Sequence, residues 1–248
     1  MRNLKLTVAY DGTDFAGWQI QPGGATVQGT LASAIGRITE EKVLPQGSGR
    51  TDAGVHALAQ IATFQTDSVI PAGNFVVALN DILPASIRVL TVEEVAADFH
   101  PRKSARAKTY RYRIFREAIC PPFLSRYVWH YPYPLDENVM RDAAPLVEGE
   151  RDFSSFAAVD PERGREGSSN VRRIFSSQWR RESCELIYEV RGNGFLHHMV
   201  RNLVGTLLLV GKGTLKPADV TRILEAKDRS AAGATAPASG LYLVNVEY

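Results

Sequence analysis

Leu4, Leu6, Val8 and Tyr10 alternate with Lys5, Thr7 and Ala9, so the chain opens on a half-buried strand over 4–10. The period then changes. Val27, Leu31, Ile35 and Ile38 recur at helical spacing within "TVQGTLASAIGRITE". Two short strands are predicted around 43–46 and 57–65, with Gly47 to His56 between them. "PAGNFVVALNDIL" reads as a helix with Pro71 at its first position, and "SIRVLTVEEV" as a strand. The order is β-α-β-β-α-β.

A similar order follows. "KTYRYRIFR" predicts a strand with Tyr110, Tyr112 and Ile114 on one face and Arg111 and Arg113 on the other. "DENVMRDAAPLV" is helical until Pro145, and "VRRIFSSQWRR" with "CELIYEVRG" predicts a hairpin-like pair. "FLHHMVRNLVGTLLLVG" and "KPADVTRILEAK" predict two helices, and "GLYLVNVEY" a last strand. The repeat is one of element order. It predicts an α+β fold of two ferredoxin-like, RRM-like halves with mainly antiparallel sheets. The expected division is 1–105 and 106–248. Such halves are also the architecture of common RNA-binding modules. Three segments predict loops: the proline-rich 118–134, the polar 160–170 (read as mobile), and "AKDRSAAGATAPASG" before the last strand.

Composition adds little to this picture. The 248 residues are 44% hydrophobic and 23% charged, as in ordinary globular chains. Two cysteines, Cys120 and Cys184, are too few for a disulfide framework and read as reduced thiols. No signal peptide is apparent, and "LVGTLLLVG" is far shorter than a membrane span. The expectation is a soluble cytoplasmic protein with no membrane association.

Net charge is only +2, but its distribution is uneven. Residues 101–116 carry Arg102, Lys103, Arg106, Lys108, Arg111, Arg113 and Arg116 with no acid. Residues 163–181 add Arg163, Arg165, Arg172, Arg173, Arg180 and Arg181 against Glu166. Interleaved with Tyr110, Tyr112, Phe115, Phe175 and Trp179, these runs resemble a phosphate-tracking surface; a solvated charged face is the plainer alternative.

Several chemistries are excluded by pattern. "GSGRTDAG" lacks the lysine of a nucleotide P-loop and precedes a strand. No CxxC pair occurs, and adjacent His197 and His198 do not point to zinc. No GxSxG elbow is present. "TDAG" has no second carboxylate turn of the kind aspartic proteases share a proton across, and a carboxylate hydrolase lacks its acidic partner. Asp52 therefore acts alone or with a cation. A carboxylate can attack a carbon centre, and if buried it needs a counter-charge. Arg50 lies on the same face if the segment is extended. Arg201 is the lone charge between Phe195 and Gly211, and reads equally as a counter-cation or as a snorkelling surface residue.

"YDGTDFAGWQIQP", "TVQGTL", "GSGRTDAGVHA", "KTYRYRI", "GNGFLHHMVRNLVGTLLLVG" and "TAPASGLYL", in this order, resemble the tRNA pseudouridine synthase A family. "AGATAPASG" departs from the family at Ala234, often proline there, and near Ser239, which bears on the shape of that loop. The resemblance implies a homodimeric isomerase, with an active-site cleft between the two halves, that converts uridine to pseudouridine at positions 38, 39 and 40 of the tRNA anticodon stem-loop. It implies no cofactor, no metal and no DNA partner. The reaction breaks N1–C1′ and joins C5 to C1′, consuming neither electrons nor water, and the target base must leave its stack.

Carried over by motif, Asp52 is the nucleophile or base, whether it attacks C1′, attacks C6 or removes the C2′ proton. Tyr110 stacks on the flipped uracil, and Arg201 pairs with Asp52. Arg50 places a phosphate or holds the cleft open, and Leu241 pads the base. Lys108 and Arg111 grip phosphates. His56 ties the loop or contacts RNA, the tie being the reading preferred. The alternative is a non-catalytic RNA-binding protein on the same scaffold. An anion at position 52 speaks against it, because it would repel phosphate.

Overall fold

The computed structural model describes residues 1–159 and 169–248. The loop expected at 160–170 lies almost wholly outside them, as do Arg163, Arg165 and Glu166. The chain divides into two compact units, Met1–Arg106 with Tyr242–Tyr248, and Ala107–Leu241. The sequence division near residue 105 gave the last strand to the second half. That strand groups with the first unit because its start pairs, in parallel, with a strand there (Tyr242 opposite His56).

The first unit holds β1 (Arg2–Tyr10), α1 (Val27–Thr39), β2 (Gln46–Gly47), β3 (His56–Thr66), α2 (Ala72–Ile82) and β4 (Ile87–Val95). β1 lies antiparallel between β3 and β4, and β2 adds a short pairing to β3. Leu4, Leu6 and Val8 are fully buried, with Leu31 and Ile35 of α1 and Phe75 and Leu79 of α2. Two faces of apolar period, 2 on the strand and 3.6 on the helices, thus supply one core. Thr26 caps α1 by accepting the Gly29 amide at 3.2 Å. Glu40 closes the helix in a left-handed conformation, its amide bonded to the Gly36 carbonyl.

The second unit holds β5 (Ala107–Phe115), β6 (Trp129–His130), α3 (Glu137–Ala143), β7 (Gly149–Asp152), β8 (Val171–Glu182), β9 (Glu185–Gly192), α4 (Met199–Gly211) and α5 (Pro217–Ala226). β10 (Leu241–Glu247) follows and leads back into the first unit. The sheet order β5-β9-β8-β7 is antiparallel throughout, and β6 lies parallel to β5. Tyr112, Ile114, Leu186, Tyr188 and Val190 are buried, as are Leu203, Val204 and Leu207 of α4. Both units are α+β.

Two strands of this unit, β6 and β7, have no sequence counterpart, being too short to show alternation. α4 begins at Met199, not Phe195, because His198 has φ of +58° and cannot continue a helix. Pro145 ends α3 as expected, and a 3-10 turn over Ala144–Val147 follows. α5 starts at Pro217, and Asp219 reaches back to the Lys216 amide at 2.7 Å. Among the described residues no helix is long and apolar enough to cross a membrane.

Candidate active site

Asp52 lies in an irregular loop between β2 and β3 and is half-buried. Arg50 is exposed and its Nε donates to Gln19 Oε1 at 3.3 Å. The loop itself is held from both sides. Ser48 Oγ meets Gln60 Oε1 at 2.6 Å, and Gln60 Nε2 donates to the Gly49 carbonyl at 2.9 Å.

The segment from Tyr10 to Trp18 fastens the other end. The Tyr10 hydroxyl meets Thr51 Oγ1 at 2.8 Å, and burial pushes its phenol up to about 12. The Trp18 amide donates to the Thr51 carbonyl at 3.0 Å, and the Gly54 amide to the Phe15 carbonyl at 3.3 Å. Gly17, at φ of +96°, passes so close that a Cβ there would stand 2.7 Å from the Thr51 carbonyl oxygen. His56 is 2% exposed, accepts the Gly12 amide on Nδ1 at 3.1 Å, and stacks on Tyr242 at 4.8 Å. The tie read for His56 is thus present. Tyr10, Trp18 and Gln60 were not singled out from sequence. The glycines of "YDGTDFAGW" are the signal that marks this close passage.

In the second unit Tyr110 is buried on β5, edge-on to Phe195 with centroids 4.9 Å apart. Lys108 shares its strand face and is also buried. Arg111 faces the opposite way and is ion-paired with Glu189 at 3.1 Å. Arg113 pairs with Glu185 at 2.6 Å, Arg116 with Glu137 at 3.4 Å, Arg180 with Glu182 at 2.5 Å, and Arg181 with Glu137 at 2.7 Å. Part of the basic runs seen in the sequence is therefore ion-paired, Arg180 with an acid two residues away and the others with acids more distant in the chain, Glu137 serving both Arg116 and Arg181.

Arg201 projects from the first turn of α4, and its Nε donates to the Ala236 carbonyl at 2.7 Å. Its own carbonyl accepts the Ala236 amide at 3.2 Å. The loop carrying Ala236 lies directly on α4: a Cβ on Gly205 would stand 1.8 Å from the Ala234 carbonyl oxygen. Buried Asn202 locks this packing. Its Nδ2 donates to the Phe156 carbonyl at 2.7 Å, and its Oδ1 accepts from Thr235 Oγ1 at 2.7 Å and from Arg229 at 3.0 Å. Thr206 Oγ1 accepts the Gly233 amide at 2.9 Å. The sequence reading passed over Asn202, Thr206 and Arg229, although a polar pair one turn apart on an apolar helix is a visible sign.

The same loop continues onto β5. The Tyr112 hydroxyl donates to the Pro237 carbonyl at 2.7 Å, and burial raises its phenol despite the nearby Arg201 charge. Gly240 lies against the Tyr112 ring, and Leu241 beyond it is buried. The first unit thus fixes a single carboxylate in a rigid loop. The second places an aromatic ring, an arginine and a buried leucine on β5, on α4 and at the first residue of β10.

The family described as tRNA pseudouridine synthase matches residues 6–102 and 143–248. A protein from Solibacter usitatus named tRNA pseudouridine synthase A is 53% identical over all of both chains. One of the same name from Caldicellulosiruptor saccharolyticus is 49% identical, again over all of both chains. One from Limosilactobacillus fermentum is 47% identical over all of this chain and 96% of its own.

Proposed function

This chain belongs to the tRNA pseudouridine synthase family and isomerises uridine in tRNA, and from that premise we propose that Asp52 carries the reaction at positions 38, 39 and 40 of the anticodon stem-loop. The observation that supports Asp52 most is the loop around it. A turn that only connected β2 to β3 would not need hydrogen bonds from Tyr10, Phe15, Trp18 and Gln60. Such restraint suits a nucleophile or base that must meet a ribose or uracil carbon at a fixed position.

The N1–C1′ bond breaks, the uracil turns, C5 joins C1′, and the C5 proton leaves as N1 regains one. Asp52 acts on the nucleoside as nucleophile or base. Tyr110 stacks on the extruded uracil and receives the C5 proton. Arg201 supplies the counter-charge to Asp52 that the motifs imply, and its bond to Ala236 restrains its direction. Leu241 pads the base, Arg50 places a phosphate, and Lys108 serves the phosphates from the Tyr110 face. Arg111, committed to Glu189 on the other face, is set aside from this group. The protein works in the cytoplasm as a homodimer. The family match does not favour a non-catalytic RNA binder.

The experiment is release of tritium from C5 of uridine in tRNA, run beside an equilibrium tRNA-binding assay. Asp52→Asn is expected to abolish release while leaving binding and the thermal midpoint near wild type. Release at the wild-type rate would remove Asp52 from its role.

A further inference from the structure

"KTYRYRI" carries two tyrosines on one face of β5, and the reaction read above uses only Tyr110. Tyr112, the other, is fully buried. Its ring is the floor on which the loop before β10 lies: a Cβ on Gly240 would stand 2.6 Å from it. Trp129 meets the same ring edge-on, with centroids 6.2 Å apart. Phenylalanine would fill that floor equally well, so packing does not account for the hydroxyl. A buried hydroxyl is costly unless it is bonded. This one makes a single hydrogen bond among the described residues, to the Pro237 carbonyl at 2.7 Å.

That bond falls next to the one that directs Arg201. Arg201 Nε donates to the Ala236 carbonyl at 2.7 Å, and Tyr112 holds the carbonyl that follows it in the chain. The backbone between these two carbonyls has little freedom. The ring of Pro237 fixes its φ, here −53°, and disfavours helical backbone at Ala236 before it. An anchor on the Pro237 carbonyl is thus carried back to the direction of the Ala236 carbonyl.

On the other side of Ala236 the anchors come from α4. The Ala236 amide donates to the Arg201 carbonyl at 3.2 Å, and Thr235 Oγ1 donates to Asn202 Oδ1 at 2.7 Å. Left to these, the acceptor of Arg201 would be fixed only by the helix that carries Arg201. The Tyr112 hydroxyl refers it to the sheet as well, two residues along β5 from Tyr110.

We propose that Tyr112 is a positioning residue for the isomerisation, its hydroxyl setting the direction of the Arg201 guanidinium through the adjacent carbonyls of Pro237 and Ala236. This rests on the reading of Arg201 as a site residue. It assigns Tyr112 no contact with the nucleoside.

The test uses the full-length protein and tRNA, with tritium release and equilibrium tRNA binding measured at a temperature where circular dichroism shows every variant folded. Tyr112→Phe keeps the ring and removes the hydroxyl. It is expected to lower kcat about tenfold while KM and tRNA affinity stay within about twofold of wild type. A lower melting temperature with unchanged kcat would make the bond structural only and overturn the proposal. Pro237→Ala keeps the carbonyl but frees the backbone beside it, so kcat should fall there too. That variant decides the matter if Tyr112→Phe does not fold, and a wild-type kcat in it would count against the proposal equally. A double-mutant cycle then tests the route. In an Arg201→Lys background, which lacks the Nε donor, Tyr112→Phe should lower kcat by no more than about twofold. The full tenfold cost in that background would overturn action through Arg201. If Arg201→Lys alone has wild-type kcat, the reading of Arg201 fails, whereas an impaired Arg201→Lys with an indifferent Tyr112→Phe fails the positioning role alone.

Discussion

The amide of Gly12 donates to Nδ1 of His56 across 3.1 Å, fastening the turn after β1 to the first residue of β3. That bond needs an unprotonated Nδ1. Asp11 Oδ1, 3.2 Å from the same nitrogen, can then receive no proton from it, and instead accepts the Thr13 amide at 3.0 Å. Only glycine fits at position 12, since a Cβ would stand 1.9 Å from the Val55 carbonyl oxygen, three residues from Asp52. Neither backbone can yield without moving the loop. Gly12→Ala is expected to cost about 1–3 kcal/mol of stability. Displacing Asp52 by roughly 1 Å would slow turnover about a hundredfold. Thermal unfolding and tritium release read the two effects; near-normal values for both would show that the loop tolerates the displacement.

Asn202 is expected to matter out of proportion to its size. Asn202→Leu would leave the Phe156 carbonyl without its Asn202 donor, and would leave Thr235 and Arg229 with only the 3.2 Å bond between them. A buried carbonyl stripped of its donor, as at Phe156, costs about 1–3 kcal/mol. The loop that holds Ala236, and through it Arg201, would loosen at the same time. Melting should fall and activity with it, while Asn202→Asp, which keeps the acceptor, should retain more of both. Equal losses in the two variants would mean that the Oδ1 contacts to Thr235 and Arg229 contribute little.

The alternation of Leu4, Leu6 and Val8 and the stripe Leu31–Ile35 made the core of the first unit legible, because burial there follows period alone. The motifs around Asp52, Tyr110 and Arg201 were legible as motifs. Their support was not. The contacts of Thr51 with Tyr10 and of Asn202 with Thr235 join residues far apart in sequence, and hydrogen bonding leaves no periodic trace. The basic runs misled in a specific way. Charge counted along the chain cannot see Glu185, diagonal to Arg113 across the β5–β9 ladder, because strand pairing creates that neutralisation.

Because that pair cancels its own charge, a charge-neutral change at it should leave RNA binding alone. Arg113 and Glu185 are both partly exposed, so the pair is worth about 0–1 kcal/mol. The double substitution Arg113→Gln with Glu185→Gln is expected to keep the salt slope of tRNA binding within error of wild type. A lower slope in the double variant would put Arg113 among the phosphate contacts.

The buried phenols predict how the protein fails in alkali. Burial pushes Tyr10 up to about 12, against about 10 for an unfolded phenol, and raises Tyr188 in the same direction. The folded state thus holds these protons more tightly than the unfolded chain. The contribution is complete below pH of about 10 and is lost as pH rises through about 12. Melting temperature should therefore fall steeply across that window. Tyr10→Phe removes one of the groups that drive the fall. It also costs roughly 1 kcal/mol at neutral pH, because Thr51 loses its partner. The variant should be the less stable protein at pH 8 and should lose less further stability between pH 10 and pH 12. An alkaline limb as steep as that of wild type would place the titration elsewhere in the chain.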